Sequence, residues 1–323
     1  MYHDLTLRDG SHAINHQLTK EMIQAHCEFA ENAGIEVVEV GHGNGIGASS
    51  LLIGKSLLSD YEIISIARKY LKQTKLSIHI IPGLATIKRD IDLAISLGVD
   101  IFRVASHCTE ASLTKSHIEY LSNKGKIVYG VLMMCATSSV DVLYEQASKM
   151  KSYGASAIII MDSSGSFKPK NVSEIIKTLV TLNIQIGFHG HNNFHLAVAN
   201  SLAAIESGAS IIDVTIKGFG AGAGNTPLEV MAFLHESQTL DKTKIIEYCD
   251  KTNIFSPITK PIHILTAKSI LFSGFEKHIL HACSKYQISY ITLIEEIEKQ
   301  NLVAGQDDLI YVVAQSLISS HRD

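Results

Sequence analysis

His189 and His191 occupy alternate positions in the run IQIGFHGHN (184–192), whose β-branched and aromatic residues read as a strand. Alternate strand positions share one face, so the two imidazoles can grip a single divalent ion. Near the other end of the chain, LRDG (7–10) offers Asp9, which completes a set of two histidines and one carboxylate. Nitrogen and carboxylate ligands without a thiolate suit Mn²⁺, Fe²⁺, Co²⁺ or a Mg²⁺-tolerant site better than structural zinc. Three protein ligands leave positions open for water or a chelating substrate. Taken alone, the histidine pair reads better as two ordinary hydrogen-bonded histidines; LRDG tips the reading toward metal.

Arg8 would place a fixed cation beside that carboxylate, suited to steadying an enolate or oxyanion. It could also serve only as an ion-pair partner of Asp9 or Glu39. His12 follows on the next loop and is a candidate general base, because an imidazole titrates near neutral pH. The alternative is a solvated loop histidine. His16 reads as structural.

The elements that must hold these groups alternate regularly. Strands are expected at 4–9, 35–41, 75–81, 100–105, 126–134, 156–163, 184–192 and 210–220. Helices are expected near 19–33, 60–73, 86–97, 112–124, 139–153, 171–182, 194–207 and 227–237. Several strands are continuous apolar runs, as parallel strands buried on both faces require. NAGIE, SLGVD, SYGAS and ESGAS each put a glycine where a helix must stop before the next strand. This pattern predicts an α/β fold, a (β/α)8 TIM barrel over residues 1–238. A doubly wound sheet is the runner-up, but LRDGSH lacks its expected GxGxxG. Residues 239–323 lack regular strands. They read as a C-terminal helical extension that packs on the barrel, completes the site and carries an interface.

In such a barrel the chemistry gathers at the C-terminal ends of the strands. Arg8, Asp9, Glu39, Arg103, Asp162, Ser163, His189, His191, Lys217 and Asn225 all fall there. His42, Asn44, His107, Glu110 and His195 are expected to support them from behind. The glycine-dense loop at 220–225 suits a phosphate cradle, a lid or a close backbone approach. Cys135 ends strand five with no neighbouring base to make it a nucleophile.

The 323 residues are 46% hydrophobic and 19% charged, with a formal net charge of −4. The low charged fraction leaves room for a covered interface, and no basic run points to nucleic acid. Five scattered cysteines without a CxxC motif fit a reducing compartment. No basic-then-apolar leader and no apolar run of membrane-spanning length is seen, so a cytoplasmic protein is expected.

LRDG, HxH and GAGNTPLEV (222–230) together resemble the superfamily of pyruvate aldolases and acyl-CoA Claisen enzymes, which includes hydroxymethylglutaryl-CoA lyase, isopropylmalate synthase and homocitrate synthase. LRDGSH, GHGNGIGASS (41–50), RVASHCTEA (103–111), GVLMM (130–134), GAGAGNTPLEV (220–230) and VAGQDDLIYVVA (303–314) resemble the 4-hydroxy-2-oxovalerate aldolase family over nearly the whole chain. The resemblance implies metal-dependent cleavage of 4-hydroxy-2-oxopentanoate, or a close homologue, to pyruvate and acetaldehyde or another short aldehyde. It implies Asp9, His189 and His191 as metal ligands, with Mn²⁺ expected ahead of Co²⁺ or Mg²⁺. It implies Arg8 at the enolate and His12 as base. It matches Tyr286 to a catalytic tyrosine of the tail, ahead of Tyr290, and places Ser163, His189, Arg8 and Tyr286 on the substrate. It further implies an acylating acetaldehyde dehydrogenase partner that receives the aldehyde through a channel, a homo-oligomer or heterotetramer, and a place in aromatic-hydrocarbon catabolism. The chain departs from the family at DSSG (162–165), where DSGG is usual, at Asn192, where a further histidine is common, and at CATSS (135–139). An acyl-CoA Claisen enzyme is the rival reading, disfavoured because His12 stands where those enzymes usually carry glutamine. An iron oxygenase and an inactive scaffold are weaker rivals.

Overall fold

The computed structural model describes residues 1–237 and 239–319. Eight parallel strands close into a barrel in chain order. They are β1 (Tyr2–Leu7), β2 (Val37–Val40), β3 (Lys75–Ile80), β4 (Ile101–His107), β5 (Ile127–Met133), β6 (Ala157–Asp162), β7 (Gln185–Gly190) and β8 (Ile211–Val214). β1 pairs with β2 on one side and with β8 on the other, which closes the sheet and excludes the doubly wound alternative. The TIM barrel is therefore the observed fold.

Outside the strands run α1 (Lys20–Ala33), α2 (Asp60–Tyr70), α3 (Asp92–Ser96), α4 (Lys115–Asn123), α5 (Val140–Ser152), α6 (Pro169–Leu179), α7 (Ala197–Glu206) and α8 (Leu228–Leu234). Local chemistry sets their ends. Thr19 caps α1 by accepting from the Met22 amide, and Ser59 and Glu62 form a capping box on α2. The four glycines expected to stop helices, Gly34, Gly98, Gly154 and Gly208, all take positive φ. The helix expected over 86–97 starts instead as a wide turn at Ile87–Ile91, and only its second part is α3. Asp90 holds that turn by accepting from the Thr86 amide and hydroxyl at 2.6 and 3.0 Å.

The strands bury both faces. Their outer residues pack against the helices in one large core. Their inner residues form a second cluster that includes Val37, Ile101, Tyr129, Val131, Ile159 and Ile211. Toward the C-terminal rim this lining turns polar, with Glu39, Ser77, Arg103, His189 and Asp213 all buried.

The tail is helical, as expected: α9 (Lys242–Lys251), α10 (Pro261–Lys268), α11 (Glu276–Tyr286), α12 (Tyr290–Glu298) and α13 (Asp307–Ser319). α9 lies on the barrel. Its Tyr248 ring stacks on Phe29 of α1 at 3.9 Å, and the Asp241 amide donates to the Ala33 carbonyl. α10 to α13 build a separate buried cluster around Phe275, Ile279, Leu293, Ile297 and Ile310. Among the described residues, no helix is long and apolar enough to cross a membrane.

Candidate active site

β1 ends at Leu7, so Arg8 and Asp9 stand just beyond it, and Asp9 opens a tight 3-10 turn (Asp9–Ile14). The turn aims both side chains over the barrel mouth. Arg8 Nε donates to Glu39 Oε1 at 2.6 Å, and its Nη1 donates to Asp9 Oδ2 at 2.7 Å and to the Gly43 carbonyl at 3.2 Å. Its Nη2 is buried without a protein partner. A guanidinium has five N–H donors, and a buried unpaired one invites an acceptor from a ligand. Arg8 is thus an ion-pair partner and keeps a spare donor as well.

Asp9 is held from three directions. Oδ2 accepts from Arg8, while Oδ1 accepts from Asn225 Nδ2 at 2.8 Å and from the Ala221 amide at 3.2 Å. Burial opposes its ionisation, but Arg8, His191 and His189 outweigh burial and hold the carboxyl well below the usual range. The glycine-dense loop therefore directs an amide and the Asn225 side chain at a carboxylate rather than at a phosphate.

His189 Nδ1 sits 3.1 Å from Asp213 Oδ2. Asp213 is also clamped by both Nη atoms of Arg103, at 3.0 and 2.5 Å. Its carboxyl is buried, yet Arg103 and His189 hold it well below its ordinary value. A carboxylate on Nδ1 fixes the proton there and leaves the Nε2 lone pair free to ligate. That Nε2 lies 3.3 Å from His191 Nε2 and 3.9 Å from Asp9 Oδ2. One ligand atom from each of Asp9, His189 and His191 falls within 4.8 Å of the others. Burial lowers His191 to about 3, with Asp9 pulling the other way, so its ring is neutral at neutral pH. Two imidazole nitrogens and one carboxylate converging on a point fit the donor set of a divalent cation.

The ring of His12 rests on Gly43, where an added Cβ would lie 2.4 Å from it, and meets Phe272 edge-on. Burial pushes His12 down to about 4, with Asp9 pulling it up. Behind it His16 and His42 stack with ring centroids 3.6 Å apart. His16 Nδ1 accepts from the Gly43 amide, His42 Nδ1 accepts from the Asn44 amide, and His42 Nε2 faces the Gly54 carbonyl. These two rings hold the segment on which His12 leans.

Arg8, Asp9, His12, Ser163 and His191 share one cavity of about 310 Å³, with Asn44, His79, Ile81, Met133, Met161, Phe272 and Gly305 completing its wall. The Ser163 hydroxyl accepts from the Met134 amide at 2.9 Å. Asp162 beneath it closes its own loop, accepting from the Ser166 and Phe167 amides, and burial pushes it up to about 6. His107 and Glu110 line a smaller neighbouring cavity. His195 sits at positive φ in the turn before α7, away from these cavities. Cys135 is buried with its thiol on the Leu132 carbonyl.

The structure does not bring Tyr286 to this cavity. It ends α11 and packs, with Tyr290, against the C-terminal cluster. The apolar face of α11 is taken up by α12 and α13, so the tail reaches the cavity through Phe272, Ala304 and Gly305 instead. Three groups escaped sequence reasoning. Asp213, an acid inside the apolar strand SIIDV, carried a signal. So did His79, at the alternate position to Ser77 in KLSIHI. Phe272 carried none.

The HMGL-like family model matches residues 1–254, and the DmpG-like communication domain model matches residues 269–319. The 4-hydroxy-2-oxovalerate aldolase of Pectobacterium atrosepticum is 49% identical over 99% of this chain and 96% of its own. That of Spirochaeta aurantia is 44% identical over 98% of this chain and 95% of its own. Among solved structures, the carboxyl transferase domain of Rhizobium etli pyruvate carboxylase with pyruvate shares the fold. Its TM-score is 0.82 at 15% identity, covering 99% of this chain and 61% of that one.

Proposed function

Because the chain belongs to the HMGL-like family and, over almost its whole length, to the 4-hydroxy-2-oxovalerate aldolases, we propose a division of labour among its site residues for aldol cleavage. The reaction takes 4-hydroxy-2-oxopentanoate, or a close homologue, to pyruvate and a short aldehyde. The observation that carries the reading is the convergence of Asp9, His189 and His191 on one point, with Asp9 and His191 walling the cavity shared by Arg8 and His12.

Asp9, His189 and His191 would hold the divalent ion, with Mn²⁺ our choice ahead of Co²⁺ or Mg²⁺. When bound, the ion supplies a Lewis acid for the 2-oxo acid. Arg8 directs its unpaired Nη2 at the oxygen on which charge develops. His12, neutral at neutral pH, takes the proton of the 4-hydroxyl. The C3–C4 bond breaks, C4 becomes the aldehyde carbonyl, and its bonding pair passes into the pyruvate enolate beside Arg8. Protonation at C3 completes pyruvate. Ser163 and His189 contact the keto-acid end, and Phe272 closes the cavity over His12. Tyr286 enters this scheme only as part of the tail's core, which holds the Ala304–Gly305 loop against the site.

Pyruvate in deuterated water tests the acid half without knowledge of the aldehyde. With Mn²⁺ present, and removed before each spectrum, the methyl proton signal should fade; with EDTA it should persist. Persistence in both arms, with metal bound, would sink the aldolase assignment of this site. His12→Ala should lose at least ~10²-fold in cleavage while binding metal as before, measured by steady-state rates and metal analysis.

We further propose that the barrel and the helical tail act as two units, residues 1–238 and 239–323, in the reducing cytoplasm. The tail is read as the docking face for an acylating acetaldehyde dehydrogenase. Supporting this, His12 also walls a second, open cavity of about 620 Å³ between barrel and tail. Phe255, Ile258 and Leu280 line that cavity with exposed apolar surface. An aldehyde formed at His12 has a short route to that face.

A further inference from the structure

His79 lines the catalytic cavity from β3, yet the scheme above gives it no task. It is only 2% exposed. Its Nδ1 is buried without a partner, and among the described residues no protein group bonds to either ring nitrogen. Leaving a buried polar group unpaired costs about 1–3 kcal/mol, and native structures accept that where a ligand completes the bond. Ser77, on the same face of β3, is by contrast paired with Glu39.

Its position shows which part of the substrate it meets. In the closed barrel β3 lies opposite β7, the strand that carries His189 and ends just before His191. The keto-acid end belongs with those histidines, Asp9 and Arg8. In that reading the other end of the substrate extends toward the opposite, β3 side of the cavity. That wall continues as Ile81, Pro82 and Leu84, all apolar, so His79 is its one polar side chain. Burial first, then Arg8 and Arg103, keep the imidazole uncharged. A neutral imidazole offers one N–H donor and one acceptor nitrogen, the complement of an alcohol, which also donates once and accepts.

We propose that His79 is a specificity residue for the aldehyde half of the substrate, selecting short aldehydes that carry a hydroxyl group next to the carbonyl over their alkyl isosteres. The proposal rests on the aldolase reading of this site and refines it. A cavity built to bond a hydroxyl discriminates against an analogue lacking it, because the site's own polar group is then left unpaired.

Glycolaldehyde and propanal are close isosteres, differing by hydroxyl against methyl. The experiment condenses each with pyruvate on the metal-loaded, full-length enzyme and compares kcat/KM. Wild type should favour glycolaldehyde by about tenfold or more, after correction for the hydrated fraction of each aldehyde. His79→Leu should erase or invert that ratio. His79→Asn and His79→Gln return a polar atom to the δ and ε positions, and at least one should restore it. The ratio is internal to each variant, so a shared loss of stability or metal does not mimic the result. Preference of the wild type for propanal, or an unchanged ratio in His79→Leu, would overturn the inference. Absence of metal-dependent exchange of the pyruvate methyl protons would instead remove the aldolase reading beneath it.

Discussion

At the scale of single residues, the site is a chain of paired charges with a few donors left over. Glu39 is shared by Arg8 and Arg103, Arg103 clamps Asp213, and Asp213 orients His189. Asp9 and His189 are thus aimed by other buried groups, whereas His191 Nδ1 is buried without a protein partner. Asn225 is the most separable of these supports, since its amide donates to Asp9 Oδ1 while Arg8 and the Ala221 amide hold the rest of the carboxylate. Asn225→Ala should weaken metal binding by about 10–100-fold, measured by titration calorimetry with Mn²⁺, with little change in melting temperature. A strongly bound ion in that variant would show that Asp9 needs no help from the loop. Truncating Asp213 would be less informative, because it would also leave buried Arg103 with only the carboxylate it shares with Arg8, Glu39.

At the scale of elements, position is set by how short turns follow strands. The His42–Gly45 segment after β2 is fixed by the two stacked histidines and forms the floor under His12. Gly43→Ala places a methyl 2.4 Å from the imidazole and must displace it. Cleavage should fall at least ~10-fold, in line with misplacement of a catalytic group, while Mn²⁺ binding persists. A variant with wild-type kcat would remove His12 from the chemistry. This scale also explains what could be read in advance. His189 and His191 were legible as a pair because a strand's period of two leaves them one face. The barrel was legible because a glycine ends helix after helix at matching places. Arg8 and Asp9 read as the end of β1 but belong to the turn beyond it, since a strand pattern does not mark where ladder bonds stop. The reach of α11 was not legible at all: Tyr286 faces its neighbouring helices, and which side of an amphipathic helix meets a cavity depends on contacts distant in sequence. His79 was marked by its place two residues from Ser77, but the lack of a partner for its ring depends on neighbours distant in sequence.

At the scale of the whole molecule, several buried imidazoles make stability depend on acid. Burial lowers His42 to about 4 and His16 to about 2. Below the ordinary histidine value of about 6.5, the unfolded chain takes up protons that the folded chain refuses. Stability is therefore full above that pH and is lost as pH falls toward 4, on the order of 3 kcal/mol from His42 alone. Asp162, raised to about 6, acts in the opposite sense and returns part of this as pH falls through its own range. Urea midpoints between pH 7.5 and about 4.5 should decline, and His42→Gln should flatten the decline. A pH-independent midpoint would mean that these rings are not buried neutral.

Barrel closure by β1 against β8 also has a consequence for how the protein is made. Asp9 leaves the ribosome early, and His189 and His191 leave it much later. At about 5–20 residues per second, the first of the proposed ligands waits on the order of ten seconds or more for the other two. Throughout that interval β1 has neither β8 beside it nor the Asn225 loop above it. The nascent chain thus carries an unpaired charged strand end that no ion can yet bridge, and the metal-binding capacity of a growing polypeptide should appear in one late step rather than rise with its length.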